Sequence, residues 1–199
     1  MRQFFANTVA ADTLPLKLVV YLGLLSAVLI LLAQAWHATI PVLEDAQIND
    51  QIETASLSIL SIQDGHARNS DDLYSPEGSM CTLKFFLPAS IRYISFGVDP
   101  DPECDGNLSD SRWSMENNTI VYQHKNGVKE RMLLEGKSVN FVKGELNAKG
   151  IWIPTANLKN NETLATPEKT GIVIEYPVTG EYLMELVEMK DIRYTMSHF

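Results

Sequence analysis

The stretch LVVYLGLLSAVLILLAQAW, Leu18 to Trp36, runs nineteen residues without a charge. A helix of that length reaches about 28 Å, close to the thickness of a bilayer's hydrocarbon core. No other stretch of the chain is long and apolar enough to match it. Residues 18–36 therefore read as a transmembrane helix, with 1–17 as a cytoplasmic tail or leader. Residues 37–199 fall on one side of the membrane.

Charge sets the orientation. Of 16 basic and 25 acidic residues, Arg2, Lys17 and Asp12 lie within 1–36, leaving 14 basic and 24 acidic side chains beyond, a net −10. Lys and Arg precede the apolar run while Glu44, Asp45 and Asp50 follow it, which favours a cytoplasmic N-terminus and an extracytoplasmic remainder. Such an acid excess disfavours nucleic acid as a partner, since phosphates recruit Lys and Arg. A competing reading is a cleaved secretory signal: Ala33-Gln34-Ala35 is an A-x-A site, and cleavage after Ala35 would release a secreted protein.

Beyond Pro41, which predicts a kink rather than a stop, Ile48, Ile52, Ala55, Ile59 and Ile62 recur at spacings of four, three, four and three. That is one stripe of a helix, so 37–64 reads as an amphipathic stalk ending at Asp64-Gly65, with glycine in the left-handed C′ position. The stripe can pack on the chain's own β domain or against other subunits. Residues 64–78 read as an irregular loop. Nine short strands follow: 80–87, 91–98, 119–125, 128–134, 138–143, 151–153, 171–175, 182–188 and 192–197. Asn126-Gly127 predicts a hairpin through a type I′ turn, residues 189–191 close a second, and 157–170 reads as a polar loop. The expected fold class is α+β: a transmembrane helix, an amphipathic continuation, and an antiparallel β-sandwich or sheet over 65–199.

The residues offer little chemistry. His37, His66, His124 and His198 lack metal-ligand spacing, no G-x-S-x-G or phosphate-cradling glycine loop is present, and Cys81 and Cys104 are too far apart for a C-x-x-C site. An even cysteine pair in an exported domain predicts a structural disulfide, contributing about 3 kcal/mol in the chain-entropy model. Asn107, Asn117 and Asn161 head N-x-S/T sequons and are candidate glycosylation sites. Counting from Asp101, carboxylates at Asp101, Glu103 and Asp105 with glycine at position six match the start of a calcium loop. Arg112 stands at position twelve where glutamate is needed, so a solvated acidic turn is the first expectation and calcium the second. The chain reads as a non-enzyme without a cofactor.

In plan, the chain resembles the pilin-like exported proteins of methanogenic and related archaea, which occur with secretion-type assembly systems. The likeness rests on Leu14–Leu22 (LPLKLVVYL), Asp72–Met80 (DLYSPEGSM), Leu87–Pro102 (LPASIRYISFGVDPDP), the hairpin Asn118–Lys129 and the terminal strand pair. It implies a membrane-anchored subunit or accessory protein of a surface or secretion structure, self-associating through its N-terminal helix. No Glu occurs in Leu18–Trp36, and Ala10-Ala11 is the small-residue pair before the run. The alternative class is a solitary anchored ligand-binding or sensory module.

Overall fold

The computed structural model describes residues 9–72, 74–109, 112–155, 170–176 and 178–199, with side chains from Leu16 onward. One helix, α1 (Val9–Ile62), precedes eleven strands. These are β1 (Arg68–Asn69), β2 (Met80–Phe86), β3 (Ile91–Asp99), β4 (Ser114–His124), β5 (Lys129–Leu133), β6 (Phe141–Val142), β7 (Gly144–Leu146), β8 (Trp152–Pro154), β9 (Ile172–Glu175), β10 (Thr179–Met189) and β11 (Ile192–Ser197). The chain divides into two units, one ending at Ala46 and one running from Gln47 to Phe199.

In the first unit the described chain is helical throughout, and Pro41 is carried inside the helix. Its apolar side chains are exposed: Leu18, Val19, Leu24, Leu29 and Leu32 each show more than half their surface. Where hydroxyls interrupt the run they turn back on the backbone, Ser26 Oγ donating to Leu22 O at 2.8 Å and Thr39 Oγ1 to Ala35 O at 2.8 Å. A helix that satisfies its polar groups internally is the form a bilayer tolerates. The segment is long and apolar enough to cross one.

In the second unit the isoleucine stripe is buried, with Ile48, Ile52, Ala55, Ile59 and Ile62 all 5 % exposed or less. Ile48, Ile52, Ala55 and Ile59 join the larger core with Leu83 and Phe85 of β2, Ile94 and Phe96 of β3, Ile120 of β4, Ile172 of β9 and Met184 of β10. Asp50, Glu53 and Leu57 remain exposed. Of the two packings the spacing allowed, the stripe takes the intramolecular one. Just past the helix, Gly65 does not adopt the left-handed conformation expected of it; a Cβ there would lie 2.0 Å from Ser79 Oγ, so the glycine serves a close approach.

Two larger sheets share that core. One has the order β1-β10-β11-β6, with β2 also paired to β10; the other has the order β5-β4-β3-β9, and β7-β8 forms a small third. Pairing is antiparallel except β1 with β10 and β11 with β6. A bulge between Ile91 and Tyr93 lets Ile91, Ile94 and Phe96 enter the core while Tyr93 and Ser95 stay outside it, although all five are buried. Gln47 and Gln51 of α1 clasp the end of β2: Phe86 N donates to Gln51 Oε1 at 2.7 Å, and Gln47 Nε2 donates to Phe86 O at 3.1 Å.

Most expected strands form, with shifted ends. Strand β1 arises inside the expected 64–78 loop, and β7 falls where no strand is expected. The Asn126-Gly127 hairpin forms through a different turn. Gly127 N donates to His124 O, His124 N to Val128 O, and only Gly127 has positive φ (91°), giving a three-residue loop with a glycine bulge. The two-residue I′ geometry belongs to Lys190 (φ 49°) and Asp191 (φ 63°), between Met189 and Ile192. The expected loop at 157–170 lies outside the described residues except for Thr170.

Replacing Ile59 with Ala should cost about 3 kcal/mol through lost transfer energy and a cavity. The same change at the 61 % exposed Leu57 should stay within about 0.5 kcal/mol. Denaturant unfolding of the detergent-solubilised chain, followed by β-sheet dichroism, measures both.

Candidate functional site

Pairing in the larger sheet gathers residues distant in sequence around one buried carboxylate. Glu185, 1 % exposed, sits mid-strand on β10. Parallel β1 brings Arg68 alongside, and the Met184–Ser197 register of β11 brings His198. Arg68 donates from Nε to Glu185 Oε1 at 2.7 Å and from Nη2 to Oε2 at 2.8 Å, a bidentate pair. His198 Nε2 lies 2.8 Å from Oε2, and Gly78 N donates to Oε1 at 2.9 Å. Arg68 Nη2 also donates to Trp152 O at 3.0 Å, and the Trp152 and His198 rings stack with centroids 5.0 Å apart. Burial alone would raise the Glu185 carboxyl, but the hydrogen bonds from Arg68, His198 and Gly78 outweigh it and hold it down at about 2.

Beside this cluster opens a cavity of about 260 Å³, whose lining includes Arg68, Glu185, His198, Trp152, Asp72 and Glu77. None of these residues was singled out by the sequence for a site. His198 entered only as one of four unclustered histidines, and Arg68 and Glu185 are 117 positions apart. Their convergence depends on the parallel β1–β10 pairing, which leaves no local pattern.

A second polar cluster centres on Asp99, near a cavity of about 270 Å³ lined by Asp101, Glu103, Asp105 and Arg112. Asp99 is fully buried and takes bonds from Tyr93 Oη (3.2 Å), Lys129 Nζ (2.8 Å), Arg131 Nη2 (2.8 Å) and its neighbour Asp101 N (3.0 Å). Burial first, then the Asp99 charge, pushes the Tyr93 phenol well up. Every bond of Asp99 goes to protein, so its work is to tie β3 and β5 to the turn at 99–107. Gln123 on β4, in register with Tyr93 and Lys129, is buried with neither amide atom bonded to a described residue.

That turn is largely solvated, as the sequence suggests: Pro102, Glu103, Cys104, Asp105 and Asn107 are exposed, and of its three candidate calcium carboxylates only Asp101 is buried, at 1 % exposure. Its carboxylate is taken by its own backbone, with Asp105 N at 3.0 Å and Gly106 N at 3.2 Å, while Arg92 Nη1 stands 3.8 Å away. Asp105 pairs with Arg112 at 2.7 Å, and Glu103 lies 3.6 Å from the same guanidinium. The Asn107 N–H, ahead of the Arg112 charge, holds the Asp105 carboxyl below its usual range. The arginine at loop position twelve thus occupies carboxylates that calcium would need. No group of three or more His, Cys, Asp or Glu that could hold a metal occurs among the described residues.

The expected disulfide is not formed. Cys81 is a half-buried thiol on β2, and Cys104 an exposed thiol with φ 56° in the turn after β3; the two belong to segments of different sheets. Burial pushes the Cys81 thiol up to about 11, away from reactive thiolate. Asn107 and Asn117 are exposed. Asn107 Oδ1 accepts from Ser109 N at 3.0 Å, and Asn117 precedes Asn118, which takes φ 61° in the bulged part of β4. Asn161 lies outside the described residues.

Comparison with known proteins finds no matching family, no matching curated protein and no matching solved structure.

Glu185→Gln should cost about 3 kcal/mol at pH 7, because it leaves the Arg68 charge buried without its partner. The folded carboxyl sits below its unfolded value of 4.5. Its contribution is therefore complete above that value and is lost as pH falls from there toward 2. Denaturation midpoints at pH 7 and pH 3 should differ more for the native chain than for the variant.

Proposed function

We propose that the chain is a non-enzymatic, membrane-anchored subunit or accessory protein of pilin-like type. It would belong to an archaeal surface or secretion structure, with residues 65–199 outside the cytoplasm. The observation behind this is α1 itself. One helix carries exposed apolar side chains over 16–43 and, from Ile48 onward, the buried stripe of the β domain. A helix that is apolar and uncovered at one end needs either lipid or other helices to cover it. Lipid supplies the first and self-association the second.

The stripe Ile48–Ile62 is spent inside its own domain, so self-association would use Leu16–Leu43 instead. There Gly23, with nothing within 4 Å of the place a Cβ would occupy, leaves room for close helix approach. Lys17 before the run and the acidic residues after it support the orientation. Asn107 and Asn117 remain open to glycosylation in that compartment. A second reading, a solitary anchored binding module, is favoured by one observation, the cavity beside Trp152.

The N-terminus and location of the native protein test the proposal. A start upstream of Leu18, with recovery in membranes or sheared surface material and helix-to-helix cross-links through a Gly23→Cys variant, is expected. Trp36 as the first residue of a soluble form would overturn it. A membrane-bound form that never cross-links would favour the solitary module.

A further inference from the structure

The cavity beside Glu185 lies in the second unit, and its chemistry selects among ligands. At about 260 Å³ it falls just under the ~300–1,000 Å³ of ordinary small-molecule sites, which suits a ligand of a single ring. Part of its wall is aromatic: Trp152 stacks on His198 with the planes 15° apart. The rest is mixed, with Arg68, Asp72 and Glu77 polar and Met80, Ile151 and Ile153 apolar.

Which polar groups are already engaged decides what can bind. Glu185 and Arg68 neutralise each other. The remaining formal charge of the lining comes from Asp72 and Glu77, which disfavours an anion. Glu77 makes no bond to a described residue, and Asp72 engages Oδ1 alone, accepting from Tyr74 N at 2.9 Å. Arg68 uses Nε and Nη2, while its Nη1 makes no bond to a described residue. The cavity therefore joins free carboxylate acceptors, a free guanidinium donor and an aromatic wall.

An organic cation would satisfy the carboxylates but, having no acceptor, would leave the Arg68 Nη1 donor unmet. A simple apolar molecule would cover the Arg68 donor, at about 1–3 kcal/mol for a buried group left unpaired, and would make no use of the exposed Asp72 and Glu77 carboxylates. Hydroxyls donate and accept at once. A ring bearing several of them, with an apolar C–H face for an aromatic wall, meets all three requirements. The geometry points to a saccharide site taking one neutral hexopyranose unit, free or as a residue of a longer glycan, in the cavity lined by Trp152, Asp72 and Glu77. The assignment stands whether or not α1 assembles with other subunits.

The test uses the full chain in phosphatidylcholine nanodiscs, which avoids sugar-headed detergents. Glucose, mannose, galactose and N-acetylglucosamine are titrated by calorimetry and by saturation-transfer NMR. At least one should bind, with saturation strongest on ring C–H protons. Trp152→Ala and the double change Asp72→Ala with Glu77→Ala should each weaken it about tenfold or more. Trp152→Ala also loosens the stack on His198. The exposed acidic pair therefore carries the decision, since its loss should leave the melting temperature unchanged. Silence from all four sugars at about 20 mM, a Kd too weak to matter at ordinary ligand levels, overturns the assignment. Sugar binding unaffected by the acidic double variant overturns it too, as does binding of choline in place of every sugar.

Discussion

Both larger sheets of the second unit depend on one helical face. Ile48, Ile52, Ala55 and Ile59 meet side chains from β2 and β10 of one sheet and from β3, β4 and β9 of the other. Fully burying an isoleucine side chain is worth about 1.5–3 kcal/mol, so the three isoleucines are among the larger single contributors to the domain. Isoleucine has one strongly preferred rotamer in a helix. A row of three, with alanine as the low point, presents a stiff surface against which the strands must settle. The central strand β3 shows the consequence: it is buried from Tyr93 to Asp99 and needs a bulge to place Ile91, Ile94 and Phe96 together in the core.

Charges inside the domain follow two different designs. Asp99 is surrounded by Lys129, Arg131 and a tyrosine hydroxyl, all protein, and binds its turn to the sheet. Glu185 is equally well supplied by Arg68, His198 and Gly78 but borders open space. A buried ion pair is costly to desolvate and rarely a net gain over an apolar core. Keeping one at the wall of a cavity fixes the Arg68 and His198 side chains there, so that a ligand meets groups already in place.

Much of the architecture was legible because it is written in short-range pattern. The charge-free run gave the apolar helix, the four-three spacing gave the buried stripe, and Leu83 and Phe85 alternating with Thr82 and Lys84 gave β2. Turn chemistry was less readable. Asn-Gly pointed to a two-residue turn that instead occurs at Lys190-Asp191, where two non-glycine residues adopt positive φ because the long β10–β11 pairing fixes the register around them. The two-residue strand β1 carries no periodicity at all. The cavity residues were invisible for the same reason: Arg68, Glu185 and His198 come from separate segments brought together by one sheet, and Trp152 reaches them from the β7-β8 pair. The cysteine pair misled because an even count says nothing about which segments lie near one another.

The clasp of Gln47 and Gln51 on Phe86 bears on how such a domain stays soluble when many copies are crowded together. A strand with an open flank offers its amides and carbonyls to any other chain, and edge-to-edge pairing is the usual route to aggregation. Here the helix's own amide side chains occupy the N–H and C=O at the end of β2. The charged sequence Lys129-Glu130-Arg131 lies along β5, at the margin of the other sheet. With its strand margins guarded in these two places, the domain is protected from accidental backbone pairing, and the proposed contact between copies is left to the apolar surface of residues 16–43.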